Sequence, residues 1–264
     1  MAKPFLGVIS VNIEGFSQTK SVILSDITRD YDIICIQETH RGANSIRPSI
    51  EGKKLLAEIR HRQYGSAMFC SPNLNIEEIH TDTSDDNIER ITVCLSDIRV
   101  TAVYKPPNTP FSWARLPAST ERQHQVIIGD FNSHNTAWGY PTTNTDGELV
   151  EDWAETEDIN LIHDPKQPPS FNSGRWKRGY NPDLVFVNRQ MAAMCLKTVA
   201  EPIPRTQHRP IAITFDSQIR ALKIPFRRRF NLKKANWELF EEQMEGFVET
   251  YLSRPATMTA SRLP

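Results

Sequence analysis

Short runs of Val, Ile, Leu and Phe recur along the chain, each closed by Asn, Asp, Pro or Gly. They fall at residues 5–12, 31–38, 65–70, 89–96, 98–107, 124–132, 181–188 and 210–215. Length, β-branched content and flanking turn residues predict strands. Helical spacing appears between some of them. At 18–30 the apolar positions are Val22, Ile23 and Ile27, and at 146–159 they are Leu149, Val150 and Trp153. The stretch 43–60 repeats that spacing more weakly and is broken by Pro48 and Gly52. Many strands with few helices, and close neighbours such as 89–96 and 98–104, predict mixed or antiparallel sheets covered by helices. That is an α/β or α+β sandwich.

The pattern changes after Phe215. A basic stretch, "RALKIPFRRRF" at 220–230, is followed at 231–252 by an amphipathic helical pattern. There Trp237, Phe240, Met244, Phe247 and Leu252 share a face, and Asn236 stands at the N-cap position. The closing "SRPATMTASRLP" reads as disordered or truncated. The expected organisation is one domain over 1–218 and a second segment over 219–264, with the boundary near 216–230.

Composition narrows this only slightly. Hydrophobic residues make up 39% and charged residues 24% of 264, with a formal net charge of −1. A strongly basic nucleic-acid footprint is absent, so any phosphate-binding charge must be local. Cys35, Cys70, Cys94 and Cys195 form no CxxC pair and no zinc spacing, and read as small core side chains. No run approaches the ~20 apolar residues of a membrane-spanning helix. The expectation is an intracellular protein with no membrane partner.

The chemistry lies at the strand ends. The run 5–12 stops at Asn12, 31–38 at Gln37 and Glu38, 98–104 at Tyr104, and 124–130 at Asp130, followed by Asn132. Asp183 opens one strand and His208 precedes another. Each alone reads as a turn or cap residue. Together they need another reason, because a charge at the end of a core strand is costly unless paired or bound to a cation. Mg²⁺ takes oxygen ligands, typically one or two carboxylates with waters and a phosphate; Glu38 and Asp130 are the candidates. Asn12 and Asn132 are suited to orienting water or a phosphate oxygen. Tyr104 and His208 are suited to donating hydrogen bonds to charge developing on phosphorus.

In order, "CIQETH" (35–40), "VYKPP" (103–107), "GDFNSHNTAWG" (129–139), "NPDLVFV" (181–187) and "HRPI" (208–211) resemble the endonuclease/exonuclease/phosphatase superfamily. Within it they are similar to the apurinic-endonuclease-type domain of non-LTR (LINE-type) retrotransposons, over about residues 5–215. The "GDFN" block followed by His and "WG" is the most specific of them. The segment "FRRRFNLKKANWELFEEQM" resembles the connection that leads, in such polyproteins, towards a reverse transcriptase, although no Tyr-X-Asp-Asp core is present.

The resemblance implies a DNase I-like, four-layered α/β sandwich with two facing mixed sheets and a site at one end of both. It implies Mg²⁺, with Mn²⁺ as a substitute, held through Glu38 and Asp130. Asn12 matches the asparagine near the metal, and Tyr104 the tyrosine that contacts the scissile phosphate. Asp130 and Asn132 match the pair that handles the nucleophilic water, and Asp183 the partner of His208. Ser170, thirteen residues before Asp183, matches a residue that contacts the DNA backbone. Between them Arg175, Trp176, Lys177 and Arg178 form a basic, aromatic hairpin suited to a DNA groove. His40, His134 and Trp138 read as structural. The implied partners are double-stranded DNA, with element RNA and a reverse transcriptase in a longer protein, and the implied place of action is the nucleus.

One position departs from the family. Gln207 stands directly before His208, where an aspartate is usual. The expectation is a nicking phosphodiesterase, with activity reduced by this change. The alternatives are a weakened or domesticated DNA-binding domain of the same fold and a phosphatase of the same superfamily.

Overall fold

The computed structural model describes residues 5–83, 87–113, 124–174, 178–216 and 236–252. The closing residues 253–264 and the whole basic stretch 220–230 lie outside them. By internal packing the chain divides into two units, Met1–Leu222 and Lys223–Pro264.

The first unit is built on two six-stranded sheets. Sheet I contains β1 (Phe5–Asn12), β2 (Ile33–Gln37), β3 (Lys54–Ile59), β4 (Ser66–Cys70), β13 (Cys195–Val199) and β14 (Ile211–Asp216), in the order β13-β14-β1-β2-β4-β3. Sheet II contains β5 (Glu78–Asp82), β6 (Glu89–Leu95), β7 (Ile98–Tyr104), β8 (His124–Asp130), β9 (Ile159–Leu161) and β12 (Asp183–Asn188). Its order, read from the far edge, is β9-β12-β8-β7-β6-β5. Strand by strand the two orders have the same orientations. The pairs β1/β2 and β8/β7 are parallel. The other neighbouring pairs are antiparallel in both sheets. Each strand of one sheet therefore has a counterpart in the other. A separate hairpin, β10 (Phe171–Ser173) and β11 (Arg178–Tyr180), stands beside them.

The period-2 alternation of a strand sorts these residues into layers. Leu6, Val8, Ile33, Cys35, Met68, Ile91, Val93, Val100, Val126, Ile128, Val185, Ile211 and Ile213 meet between the sheets. On the outer face of sheet I, Ile9, Val11, Ile34 and Ile36 pack with Leu24 of α1 (Gln18–Ile27). On the outer face of sheet II, Ile127, Phe131, Leu184 and Phe186 pack with Val150 and Trp153 of α2 (Thr145–Thr156). Helix, sheet, sheet and helix make the four layers. Both helices start at side-chain caps: Ser17 Oγ accepts from Lys20 N at 3.3 Å, and Asn144 Oδ1 accepts from Gly147 N at 2.8 Å.

Alternation also directs the strand ends. Asn12, Tyr104, Asp130 and Asp183 each fall on the inner face, in phase with Val8, Val100, Val126 and Val185. At one end of the sandwich the layer between the sheets is therefore polar. Counterpart strands are joined there by hydrogen bonds. Asn12 of β1 donates to Asp130 of β8 (3.0 Å), and Tyr104 of β7 to Glu38 just after β2 (2.9 Å). His208 before β14 pairs with Asp183 of β12 (2.9 Å), and Ser66 of β4 donates to Glu89 of β6 (2.5 Å).

One expected element is different. The weak helical pattern over 43–60 is instead a strand, β3, paired antiparallel with β4 and bulged between Leu55 and Ala57. Its residues are half-buried at a sheet edge, where "KLLAEI" fits either pattern and pairing decides. In the second unit, α3 (Trp237–Leu252) begins where expected: Asn236 Oδ1 accepts from Leu239 N at 3.1 Å.

Two outcomes are expected. Gly129 has φ +154°, and a Cβ there would lie 1.9 Å from the carbonyl oxygen of Val103 on β7. Gly129→Ala should destabilise the domain by about 3 kcal/mol or more, seen as a large loss of Tm. Glu89 is 4% exposed, and burial pushes its carboxyl up to about 7 against the Ser66 and Gly65 hydrogen bonds, with the Glu38 charge adding to the rise. The folded state holds this proton more tightly than the unfolded chain. Its contribution is therefore complete below the ordinary carboxylate value and lost as pH rises through about 7. Measured in EDTA, wild type should lose on the order of 3 kcal/mol relative to Glu89→Gln between pH 4.5 and 8. Equal stability differences at both pH values would refute this.

Candidate active site

Asn12 is the hub of the polar end. It is fully buried, and its Nδ2 donates both to Glu38 Oε1 (2.8 Å) and to Asp130 Oδ2 (3.0 Å). One amide thus holds together two carboxylates from different sheets. Tyr104 donates its hydroxyl to the same Glu38 oxygen. Burial, then the charges of Glu38 and Asp130, push its phenol far above the ordinary value, so it stays a proton donor. Asp130 also accepts from the Asn132 backbone (3.0 Å) and from Asn132 Nδ2 (3.1 Å). The same Nδ2 reaches the carbonyl of Lys105 (2.9 Å), which fixes the amide's orientation.

The other half of the site is the Asp183–His208 pair. Asp183 faces Asp130 across the β12–β8 register, and its Oδ2 meets His208 Nδ1 at 2.9 Å. Burial alone would lower the imidazole's pKa. The charge and hydrogen bond of Asp183, with Asp130 and Glu14, prevail and push it up to about 9. His208 is therefore an imidazolium at neutral pH, with Nε2 as its second donor. Asp130 is raised as well: burial, then the charge of Asp183, lift it to about 7 against the pull of His208.

All seven residues expected at the centre are thus brought together: Asn12, Glu38, Tyr104, Asp130, Asn132, Asp183 and His208. Ser170 is different. It is fully buried, its Oγ lies 3.4 Å from Asp183 N, and its carbonyl accepts from Arg209 N. The hydroxyl expected at the DNA backbone is instead buried, directed towards the backbone of Asp183. Arg175, Trp176 and Lys177 lie outside the described residues. Arg178 is exposed on β11, its guanidinium 5.6 Å from the Tyr180 ring centroid. Trp138 fills the core as expected and donates Nε1 to Ser133 O at 3.0 Å.

Sequence reasoning missed three neighbours. His40, read as structural, places Nε2 3.3 Å from Glu38 Oε2. Glu14 accepts the backbone N–H of Gln207 at 2.7 Å. Lys20 is buried and donates Nζ to the carbonyls of Ile13 (2.6 Å) and Glu14 (3.0 Å), clamping the loop after β1. A signal for Glu14 was present: it follows Asn12 by two, as Asn132 follows Asp130. Four site residues, Glu14, Glu38, His40 and Asn132, have φ between 43° and 53°. Non-glycine residues rarely adopt this left-handed backbone, and such conformations gather at functional sites.

His134 stacks on Tyr140 (4.2 Å between centroids), and Tyr140 on Tyr180 (5.0 Å). They line a cleft of about 460 Å³ that also touches Asn132, Phe171 and His208. The cleft opens directly on Asn132 and His208, with aromatic walls.

The donor set fits a hard cation. Ligand atoms of Asp130, Asp183 and His208 lie within 4.8 Å of one another. Asp183 and His208, however, are already spent on each other. Glu38 and Asp130 are the better pair. Both are oxygen donors drawn together by Asn12, Glu38 is partly open to solvent, and the raised pKa of Asp130 marks a buried carboxylate short of positive charge.

Residues 98–212 match the family model described as Endonuclease-reverse transcriptase. No curated protein sequence matches. Among solved structures, the endonuclease domain of TRAS1, a telomere-specific non-LTR retrotransposon, superposes with a TM-score of 0.60 at 16% identity, covering 81% of this chain and 99% of that one. The 3′-5′ exonuclease NExo of Neisseria meningitidis gives 0.62 at 15% identity, covering 80% of this chain and 100% of its own. An AP endonuclease from Archaeoglobus fulgidus gives 0.60 at 16%, with coverages of 80% and 100%. The matched segment runs from β7 through Asp130, Asp183 and His208 into β14, and the whole sandwich shares these enzymes' fold. Residues 98–212 are thus similar to the family described as Endonuclease-reverse transcriptase, and the sandwich as a whole has the fold of these nucleases.

Proposed function

We propose that the domain is a Mg²⁺-dependent DNA endonuclease that nicks one strand and leaves a 3′-hydroxyl, the primer for target-primed reverse transcription by a non-LTR retrotransposon. The observation that carries this is the joining of Asn12, Glu38, Tyr104 and Asp130 beside an Asp183–His208 imidazolium pair. The Endonuclease-reverse transcriptase match and the TRAS1-like fold support the retrotransposon setting. That setting brings double-stranded DNA as substrate, element RNA and a reverse transcriptase as partners in a longer protein, and the nucleus as the place of action.

The chain's own groups divide the work. Asp130 stands as the acceptor of a proton from the attacking water, and Asn132 holds the accepting carboxylate in place. His208 presents Nε2–H to a phosphoryl oxygen, with Asp183 keeping the ring charged and oriented. Tyr104 adds a second hydroxyl donor. Mg²⁺ held by Glu38 and Asp130, or Mn²⁺ in its place, would supply Lewis-acid stabilisation of the phosphate charge.

Supercoiled plasmid in Mg²⁺ tests the reading. Wild type should yield open circles whose ends a polymerase extends without prior phosphatase treatment. EDTA should abolish the product, and Asp130→Ala should reduce it by roughly 10²-fold or more. Nicking that persists in EDTA, or none from wild type, would overturn the proposal. Asp183→Asn should lower the rate and move the alkaline fall of the pH profile to lower pH, because the raised imidazole pKa depends on that carboxylate.

A further inference from the structure

Lys105 follows Tyr104 at the end of β7 and is fully buried. Its main chain serves the site: the N–H donates to Asp130 O at 2.9 Å, and the carbonyl accepts from Asn132 Nδ2 at 2.9 Å. Its side chain reaches α2 instead. Nζ lies 3.0 Å from Asp146 Oδ2 in the first turn of that helix. It also donates to the carbonyls of Thr109 (2.7 Å) and Pro106 (3.4 Å). Asp146 Oδ1 accepts from Phe111 N at 2.9 Å. An ammonium with three donors thus meets three acceptors, as a buried charge requires. The chain from 106 to 111 needs a donor from outside itself, because Pro106, Pro107 and Pro110 have no N–H to hold it with.

We propose that Lys105 and Asp146 are a positioning pair that holds the Asn132 amide towards the attacking water, a role that rests on the endonuclease reading. Asn132 stands on left-handed backbone, φ 43°, a conformation that persists only where surrounding contacts hold it. Its Nδ2 is committed to Lys105 O and to Asp130 Oδ2 (3.1 Å). Oδ1, the other end of the same amide, has no hydrogen-bond partner among the described residues, and Asn132 lines the cleft that also reaches His208. With Nδ2 committed, Oδ1 is left to accept from water. Without the ion pair the proline-rich chain loses its hold at Thr109 and Phe111, the Lys105 carbonyl shifts, and the amide turns with it. No hydrogen bond joins Lys105 Nζ or Asp146 to Asn132 among the described residues. Their effect on the reaction therefore passes through the main chain of Lys105.

A mutant cycle separates positioning from mere support. Lys105→Met keeps an apolar stem of similar length and removes the donors; Asp146→Asn keeps an acceptor for Phe111 and removes the charge. In single-turnover nicking of supercoiled plasmid, the maximal rate should fall roughly 10- to 100-fold in Lys105→Met and less in Asp146→Asn. The enzyme concentration giving half the maximal rate should stay within about twofold of wild type. In an Asn132→Ala background the same two changes should cost less than about threefold, because the group they position is gone. Full losses in that background, or wild-type rates in both single variants, would overturn the pair's role. Exchange of the Asn132 side-chain amide protons, followed by NMR in EDTA, reads the positioning without any activity. It should be roughly 3- to 10-fold faster in both single variants, the range set by one hydrogen bond. Unchanged exchange overturns the positioning even where the rate falls. Should Lys105→Met not fold by circular dichroism, Asp146→Asn alone decides. A wild-type chain that never nicks removes the endonuclease reading, while the exchange rates still decide whether the pair holds the amide.

Discussion

Everything at the working end of this domain depends on closing a sandwich with polar groups. Two sheets that share an apolar layer normally continue it to the rim. Here the last inner-facing position of strand after strand is an amide, a carboxylate or a phenol, and each is met by a group from the counterpart strand opposite. An unmet buried polar group costs roughly 2–7 kcal/mol, whereas a satisfied pair is worth only about 1 kcal/mol net. The arrangement therefore adds little to stability and imposes a strict condition: the sheets must sit in the register that satisfies every pair. That condition holds the reactive groups in place.

It also sets their protonation. Asp130 is buried against Asp183, so its carboxyl rises; Asp183 in turn keeps His208 charged. A base near neutrality and an acid above it stand side by side, separated by environment alone. In a near-neutral chain the positive character at the site comes from the His208 imidazolium.

Much of this was legible in the sequence, for a definite reason. Alternation carries through to the strand end, so a polar residue in phase with Val8 or Val126 had to point between the sheets. Asn12, Tyr104, Asp130 and Asp183 could be found that way, and Asn236 by its capping position. Residues outside strand periodicity were harder. His40 and Glu14 lie on left-handed backbone just beyond strand ends, where phase no longer predicts direction. Ser170 was assigned by spacing from Asp183, which fixes neither its depth nor its facing. β3 was ambiguous because an edge strand half-buried on both faces leaves no clean period.

The order of assembly has a consequence for synthesis. Sheet I is seeded by β1, but β1's other neighbour, β14, comes from the far end of the domain. Until residue 216 has left the ribosome, the oldest strand keeps an open edge, because the strand that follows His208 is the one that covers it. A product cut short within the domain is therefore a protein missing a central strand, a target for quality control, and it lacks His208, the partner of Asp183.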